Sequence, residues 1–155
     1  MEGERLLRKG ERRPLLHRPV HARAEPHADP GLAIRERRGE CPAGSALVTS
    51  GGRLRARWVV HAVGPFWRGG EHGEDDALRG PYRHALHLAL DAGARSIAFP
   101  SIGTGAYGFP IERAAPLAVG AARRFIARNA GLAEVRFVAF SHADYEVYAP
   151  LFAPI

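Results

Sequence analysis

The residues best placed to do chemistry lie between Ser101 and Tyr107, in the string SIGTGAY. The chemistry they suggest is capture of an anion. Gly103, Gly105 and the nearby Gly108 let a backbone come close to a phosphate, and free N–H groups at a turn or helix start point toward such a group. The Ser101 and Thr104 hydroxyls add further hydrogen bonds. All of these donors are neutral, which suits a ligand that is held and released again. The lysine and Mg²⁺ motif of a P-loop is absent. The other reading is that the glycines merely make a tight strand-to-helix turn.

Such a loop must be positioned by regular elements on either side, and the sequence predicts them. Ser96 to Phe99 is a short apolar run suited to a buried strand. Pro110 opens a helix whose stripe is Ile111, Ala114, Ala115, Ala118, Ala122, Phe125 and Ile126, with Pro116 expected to kink or shorten its first turns. Upstream, Ser45 to Ser50 and Arg57 to Val63 read as strands joined through a turn at Gly51 and Gly52. Alternation puts Val59, His61 and Val63 on one face of a strand expected to be buried on both. His61 is then either a satisfied core imidazole or a catalytic base. Pro81 is expected to start a helix with Tyr82, Ala85, Leu86 and Ala89 on its stripe, capped by Gly93, with His84 and His87 off the stripe and exposed. Glu134 to Phe140 reads as the last strand, and Tyr145 and Tyr148 fall in a short terminal helix.

The string IAFPSIGTGAYGFP closely resembles the phosphate-and-ribose loop of the macro domain family, the ADP-ribose-binding modules. CPAGSALVTSGGRLRARWVVHAVGPFW upstream and EVRFVAFSHADYEVY downstream resemble the same family in the same order. The resemblance implies an α/β fold, a three-layer α/β/α arrangement on a mixed sheet, for a core spanning 41–155. It also implies that Ser101, Ile102, Gly103, Thr104, Gly105, Ala106 and Tyr107 wrap the diphosphate and distal ribose of ADP-ribose. Tyr107 either covers that ribose or packs on the following helix. Phe140 takes the position that meets the adenine ring in the family. Stacking needs only a flat apolar face, so Phe suffices, but plain core packing is the competing role. No cofactor is implied.

Composition sets the outer bounds. The chain has 155 residues and a net charge of +6, with every basic residue except Lys9 an arginine. It is long enough for one core. No apolar run approaches the roughly 18 residues of a membrane span, so a cytoplasmic protein is expected. The single Cys41 excludes an internal disulfide framework and reads as a packed residue rather than a nucleophile. No cluster has metal-ligand spacing. His72 lies among Glu71, Glu74, Asp75 and Asp76, but a solvated polar loop is the simpler reading. Positive charge favours polyanions, yet the arginines are scattered and lack the aromatic interleaving of a nucleic-acid platform. Oligomeric state stays open.

Residues 1–40 are different in kind. They are charge-rich, with prolines at 14, 19, 26 and 30, and they read as a tail or irregular arm. Within them, Pro30 to Arg38 suits a helix with Asp29 as N-cap. Macro domains usually begin with two strands, the second central in the sheet and ending in an Asn-Ala-Ala-Asn motif. A glycine-rich loop with an acidic residue follows in hydrolytic members. None of these strings occurs, and the one asparagine is Asn129. The expected sheet therefore lacks the family's first two strands, and unpaired groups at its centre cost about 1–3 kcal/mol each if buried. Either Leu15 to His21 fills the slot, or a partner chain does, or the reading frame begins in sequence foreign to the fold; the last, through a frame change or truncation upstream, is the expected case. An intact Asn-Ala-Ala-Asn segment in another frame of the encoding DNA would identify the last case.

Three functions follow. The first is an ADP-ribose-binding module. The second is a hydrolase of O-acetyl-ADP-ribose or ADP-ribosyl esters, which would need a positioned water and an Asn–acid pair. The third is a partial domain that binds weakly or not at all.

Overall fold

A computed structural model describes residues 4–8, by their backbone, together with 41 and 43–152. The strand substitute at Leu15 to His21, the Asp29 cap and the helix at Pro30 to Arg38 lie outside the described residues. Among the described residues, five strands and three helices follow in chain order: β1 (Glu4–Arg8), β2 (Ala46–Ser50), β3 (Trp58–Ala62), α1 (Glu74–Asp91), β4 (Ser96–Phe99), α2 (Ile111–Arg128), β5 (Glu134–Val138) and α3 (His142–Tyr148). A 3₁₀ turn, Ala149–Phe152, closes the described chain. This is a mixed α/β architecture, as expected.

The strands form two sheets. In the first, β5 is central, parallel to β4 and antiparallel to β1. β1 was not foreseen, because ERLLR lies inside a segment whose charge and prolines suggest an arm. Strand formation there depends on the free edge of β5, with Glu4 opposite Val138 and Arg8 opposite Glu134, and local pattern cannot report such a distant partner. In the second sheet, β2 and β3 pair antiparallel through Ala46–Ala62 to Ser50–Trp58. The turn at Gly44 continues their ladder, with Gly44 N–H donating to the Val63 carbonyl at 2.8 Å.

The core gathers α1, α2, β4, β5 and the chain end. Leu78, Tyr82, Ala85 and Leu86 of α1 meet Ala114, Ala115, Ala118 and Ala122 of α2, all of them buried. Small side chains on α2 let the two helices approach closely. Phe99, Phe137 and Tyr148 stack in series, with ring centroids 5.9 and 5.5 Å apart.

Three details differ from expectation. Helix α1 begins at Glu74, and Pro81 lies inside it, fully buried. The first turn instead carries Glu74, Asp75 and Asp76, which favour the positive end of the helix dipole. Helix α2 runs through Pro116 without shortening. β3 is half-buried along its whole length rather than buried on both faces.

Candidate functional site

The glycine loop leaves the end of β4 at Pro100 and enters α2 through Phe109, so it lies at the carboxyl end of the strand. That is where ligands of open α/β sheets sit. Two tyrosines from different helices hold it from behind. The Ile102 N–H donates to the Tyr82 hydroxyl at 2.9 Å, and that hydroxyl donates onward to the Pro100 carbonyl at 3.4 Å. Burial pushes the Tyr82 phenol well above its usual range, so it stays protonated as a donor. Ser101 Oγ donates to the Tyr148 hydroxyl at 3.1 Å. Within the loop, Thr104 Oγ1–H reaches the Ser101 carbonyl at 2.9 Å, Phe109 N–H the Gly103 carbonyl at 3.0 Å, and Gly108 N–H the Gly105 carbonyl at 2.9 Å.

This sorts the expected site residues into two groups. The Ser101 and Thr104 hydroxyl protons and the Ile102 amide are spent inside the protein, contrary to the expectation that both hydroxyls serve a ligand. They shape the loop. The amides of Gly103, Gly105, Ala106 and Tyr107 make no hydrogen bond among the described residues. These four, with the Ser101 amide, are the loop's donors without a partner among the described residues. Gly103 has φ +82°, a left-handed conformation that favours glycine. A Cβ there would point inward, 3.5 Å from Leu78 Cδ1 and 3.7 Å from Phe109 Cβ, whereas a Cβ on Gly105 would meet nothing within 4 Å. The glycine facing open space is Gly105.

Aromatic rings flank the loop. Tyr107 packs on Phe66, with ring centroids 4.1 Å apart. Phe66 is 60% exposed, and Phe140 is 87% exposed. Core packing of Phe140 is thereby ruled out. Phe99 opposes Phe137 in the β4–β5 register, so Ser101 and Phe140, each just past its strand, emerge side by side at one end of the sheet. Ser141 next to it caps α3, accepting from Asp144 N–H at 3.1 Å. Phe66 went unnoticed in the sequence, although an aromatic directly after the strand-ending Gly64-Pro65 was a usable signal.

The polar segment 68–73 is organised by a carboxylate that sequence reasoning also missed. Glu74 is buried, and its oxygens accept N–H bonds from Arg68 (3.1 Å), Gly70 (3.0 Å) and His72 (2.7 Å). Burial alone would raise its pKa. The converging backbone donors outweigh that and hold it at about 2. Arg113 of α2 ties the same segment down, bonding Asp75 at 2.7 Å and the Gly70 carbonyl at 3.1 Å while lying 5.1 Å over the Trp67 ring. Trp67 N–H in turn donates to the Tyr107 carbonyl at 2.9 Å. The segment therefore buttresses the glycine loop. No group of three or more metal-ligating side chains occurs among the described residues.

Other candidates have hydrogen-bond partners outside the loop. His61 Nε2 is 3.1 Å from Thr49 Oγ1, and Cys41 Sγ donates to the His61 carbonyl at 3.8 Å. The Asn129 side chain donates to the Phe125 carbonyl at the end of α2. His84 and His87 are exposed, as expected, and His87 meets the Phe125 ring edge-on.

Comparisons with known proteins agree with this fold. The family model described as Macro domain matches residues 30–118. A macro domain-containing protein of Caldanaerobacter subterraneus is 51% identical over 116 residues, covering 75% of this chain and 66% of the relative. A Citrobacter rodentium protein named O-acetyl-ADP-ribose deacetylase is 43% identical over 133 residues, 85% of this chain and 75% of that one. The chain thus spans about two-thirds to three-quarters of these relatives. Among solved structures, a mutant Oceanobacillus iheyensis macrodomain with ADPR superposes with a TM-score of 0.68 at 38% identity, covering 76% of this chain and 64% of that one. A Trypanosoma brucei macrodomain in complex with ADP-ribose gives 0.69 at 36% identity, covering 77% and 51%. No helix among the described residues is long and apolar enough to cross a membrane.

Proposed function

This chain belongs to the macro domain family, and from that premise we propose that it binds ADP-ribose, or molecules carrying it, at the Ser101–Tyr107 loop. The observation that carries the reading is the set of amides on Gly103, Gly105, Ala106 and Tyr107, which have no acceptor among the described residues in a loop braced by the Ile102–Tyr82 and Ser101–Tyr148 bonds. Several N–H donors converging on one anion are the means by which a neutral loop holds a diphosphate. Tyr107 and Phe66 would flank the distal ribose, and Phe140 would stack on the adenine. Solved relatives bound to ADPR and ADP-ribose support the ligand class. Residues 41–155 are the portion to which this reading applies.

Hydrolysis of O-acetyl-ADP-ribose is the second reading, favoured by relatives that carry the deacetylase name. It ranks behind binding. The family's Asn–acid pair has no counterpart in the sequence, and Asn129 is engaged at the end of α2. Calorimetry with ADP-ribose tests the first reading: saturable heat is expected, and none at millimolar ligand would reject it. Release of acetate from O-acetyl-ADP-ribose tests the second, and turnover would reverse the order.

A further inference from the structure

Two strand edges face each other in this molecule. Among the described residues, β4 is the outer strand of the three-stranded sheet and β3 the outer strand of the two-stranded one, while α1 packs across both. Their directions agree. Gly64, two residues past β3, stands against Ile102 and Gly103, just past β4, and a Cβ on Gly64 would lie 3.0 Å from the Ile102 side chain. The space between the strands closes at that end. Toward the other end lies a cavity of about 460 Å³. Ser96, Ile97 and Ala98 all line it. Successive strand residues point to opposite faces, so three consecutive lining residues mean that β4 turns its hydrogen-bonding edge to the cavity.

A further observation says what fits there. Arg55 and Arg57, which precede β3, and Arg95, which precedes β4, line the cavity together with Trp58, the first residue of β3, and Arg57 lies 5.4 Å over the Trp58 ring. The slot thus combines backbone edges that have no partner among the described residues with concentrated positive charge.

We propose that this slot takes an acidic, extended peptide segment of a partner protein, added as a strand between β3 and β4. Its main chain pairs with both edges, and its carboxylates meet Arg55, Arg57 and Arg95. The site is separate from the glycine loop, since none of residues 101–107 lines the cavity. Charge selects this occupant. A second copy of the chain carries +6, and residues 9–40 hold eight basic against five acidic side chains, with prolines at 14, 19, 26 and 30. Either would bring like charge to the arginines, and each proline removes a ladder donor.

The test uses the full chain carrying Trp67→Phe, which leaves Trp58 as the sole indole, and an alternating Glu–Val hexapeptide as the probe. A saturable change in Trp58 emission is expected, at least tenfold weaker for a Lys–Val hexapeptide and for a Glu–Val hexapeptide N-methylated at alternate residues. The amides of Trp58, Val60, Ser96 and Ala98, which alternate with those already paired to β2 and β5, should exchange slowly with deuterium only when the probe is bound. Arg55→Glu with Arg95→Glu, both exposed positions, should weaken the probe at least tenfold. No saturation at millimolar probe, equal binding of the N-methylated peptide, or unchanged affinity in the arginine variant would each overturn the proposal. Slow exchange in the free protein would also overturn it, assigning the slot to a second copy if protection rises with protein concentration and to the chain itself if it does not. Tighter binding of a single-stranded oligonucleotide would assign it to nucleic acid instead.

Discussion

Two glycines two positions apart do different work. Gly103 sits at positive φ with its missing side chain directed at Leu78 and Phe109. Gly103→Val is therefore expected to cost about 1–3 kcal/mol of stability through backbone strain, read by thermal melting, whatever it does to binding. Gly105 has ordinary φ and open space at its Cβ position. Gly105→Leu should melt within about 0.5 kcal/mol of the parent and yet weaken ADP-ribose at least tenfold, about 1.4 kcal/mol, because the side chain would stand where the ligand approaches. Unchanged affinity in calorimetry would remove the loop from the site. Phe140→Ala offers a second separation of binding from folding. The ring is exposed, so stability should hold, while loss of stacking of about 0.5–1.5 kcal/mol would lower affinity roughly 2- to 10-fold.

At the scale of elements, the loop depends on helices that never touch solvent at the point of contact. Tyr82→Phe keeps the packed ring and deletes the acceptor of the Ile102 amide. A buried N–H left alone costs about 1–3 kcal/mol, so this variant should melt earlier and lose ADP-ribose affinity together with stability. Pro116 makes the opposite case. It is exposed inside α2 and has no N–H for the Glu112 carbonyl. Pro116→Ala should raise stability, by up to about 3 kcal/mol, with binding unchanged. A lower melting temperature would show that the ring is needed where it stands.

These elements also mark what the sequence could disclose. β2, β3, β4 and β5 fall within two residues of their expected bounds, because short apolar runs between glycine turns are a local signal. The stripes Tyr82-Ala85-Leu86-Ala89 and Ala114-Ala115-Ala118-Ala122 were equally plain. The start of α1 was not, since Pro81 imitates a first helical residue and Glu74 looks like one more charge in a polar loop. Its burial depends on three amides gathering around it, which no spacing announces. The loop's string singled out Ser101 to Tyr107. Which of their polar groups are already taken depends on Tyr82 and Tyr148, brought in from 20 and 47 residues away.

For the molecule as a whole, two buried groups set opposite pH limits. Glu74 has its pKa lowered from 4.5 to about 2. Its contribution is complete above the ordinary carboxylate value and is lost as pH falls through about 2. Tyr82 is raised above the ordinary 10.0, so its contribution is complete below that value and is lost as pH rises past the raised one. Melting temperature should accordingly show an acid limb that flattens in Glu74→Gln and an alkaline limb that flattens in Tyr82→Phe. A limb unchanged by its own substitution would assign it to other groups.

The two-tyrosine brace carries one more consequence, and it concerns time rather than affinity. A loop whose inward bonds are already made has little left to rearrange when a ligand arrives. Stopped-flow mixing should then show a single phase whose observed rate climbs linearly with ligand concentration, without the plateau that a slow refit would impose.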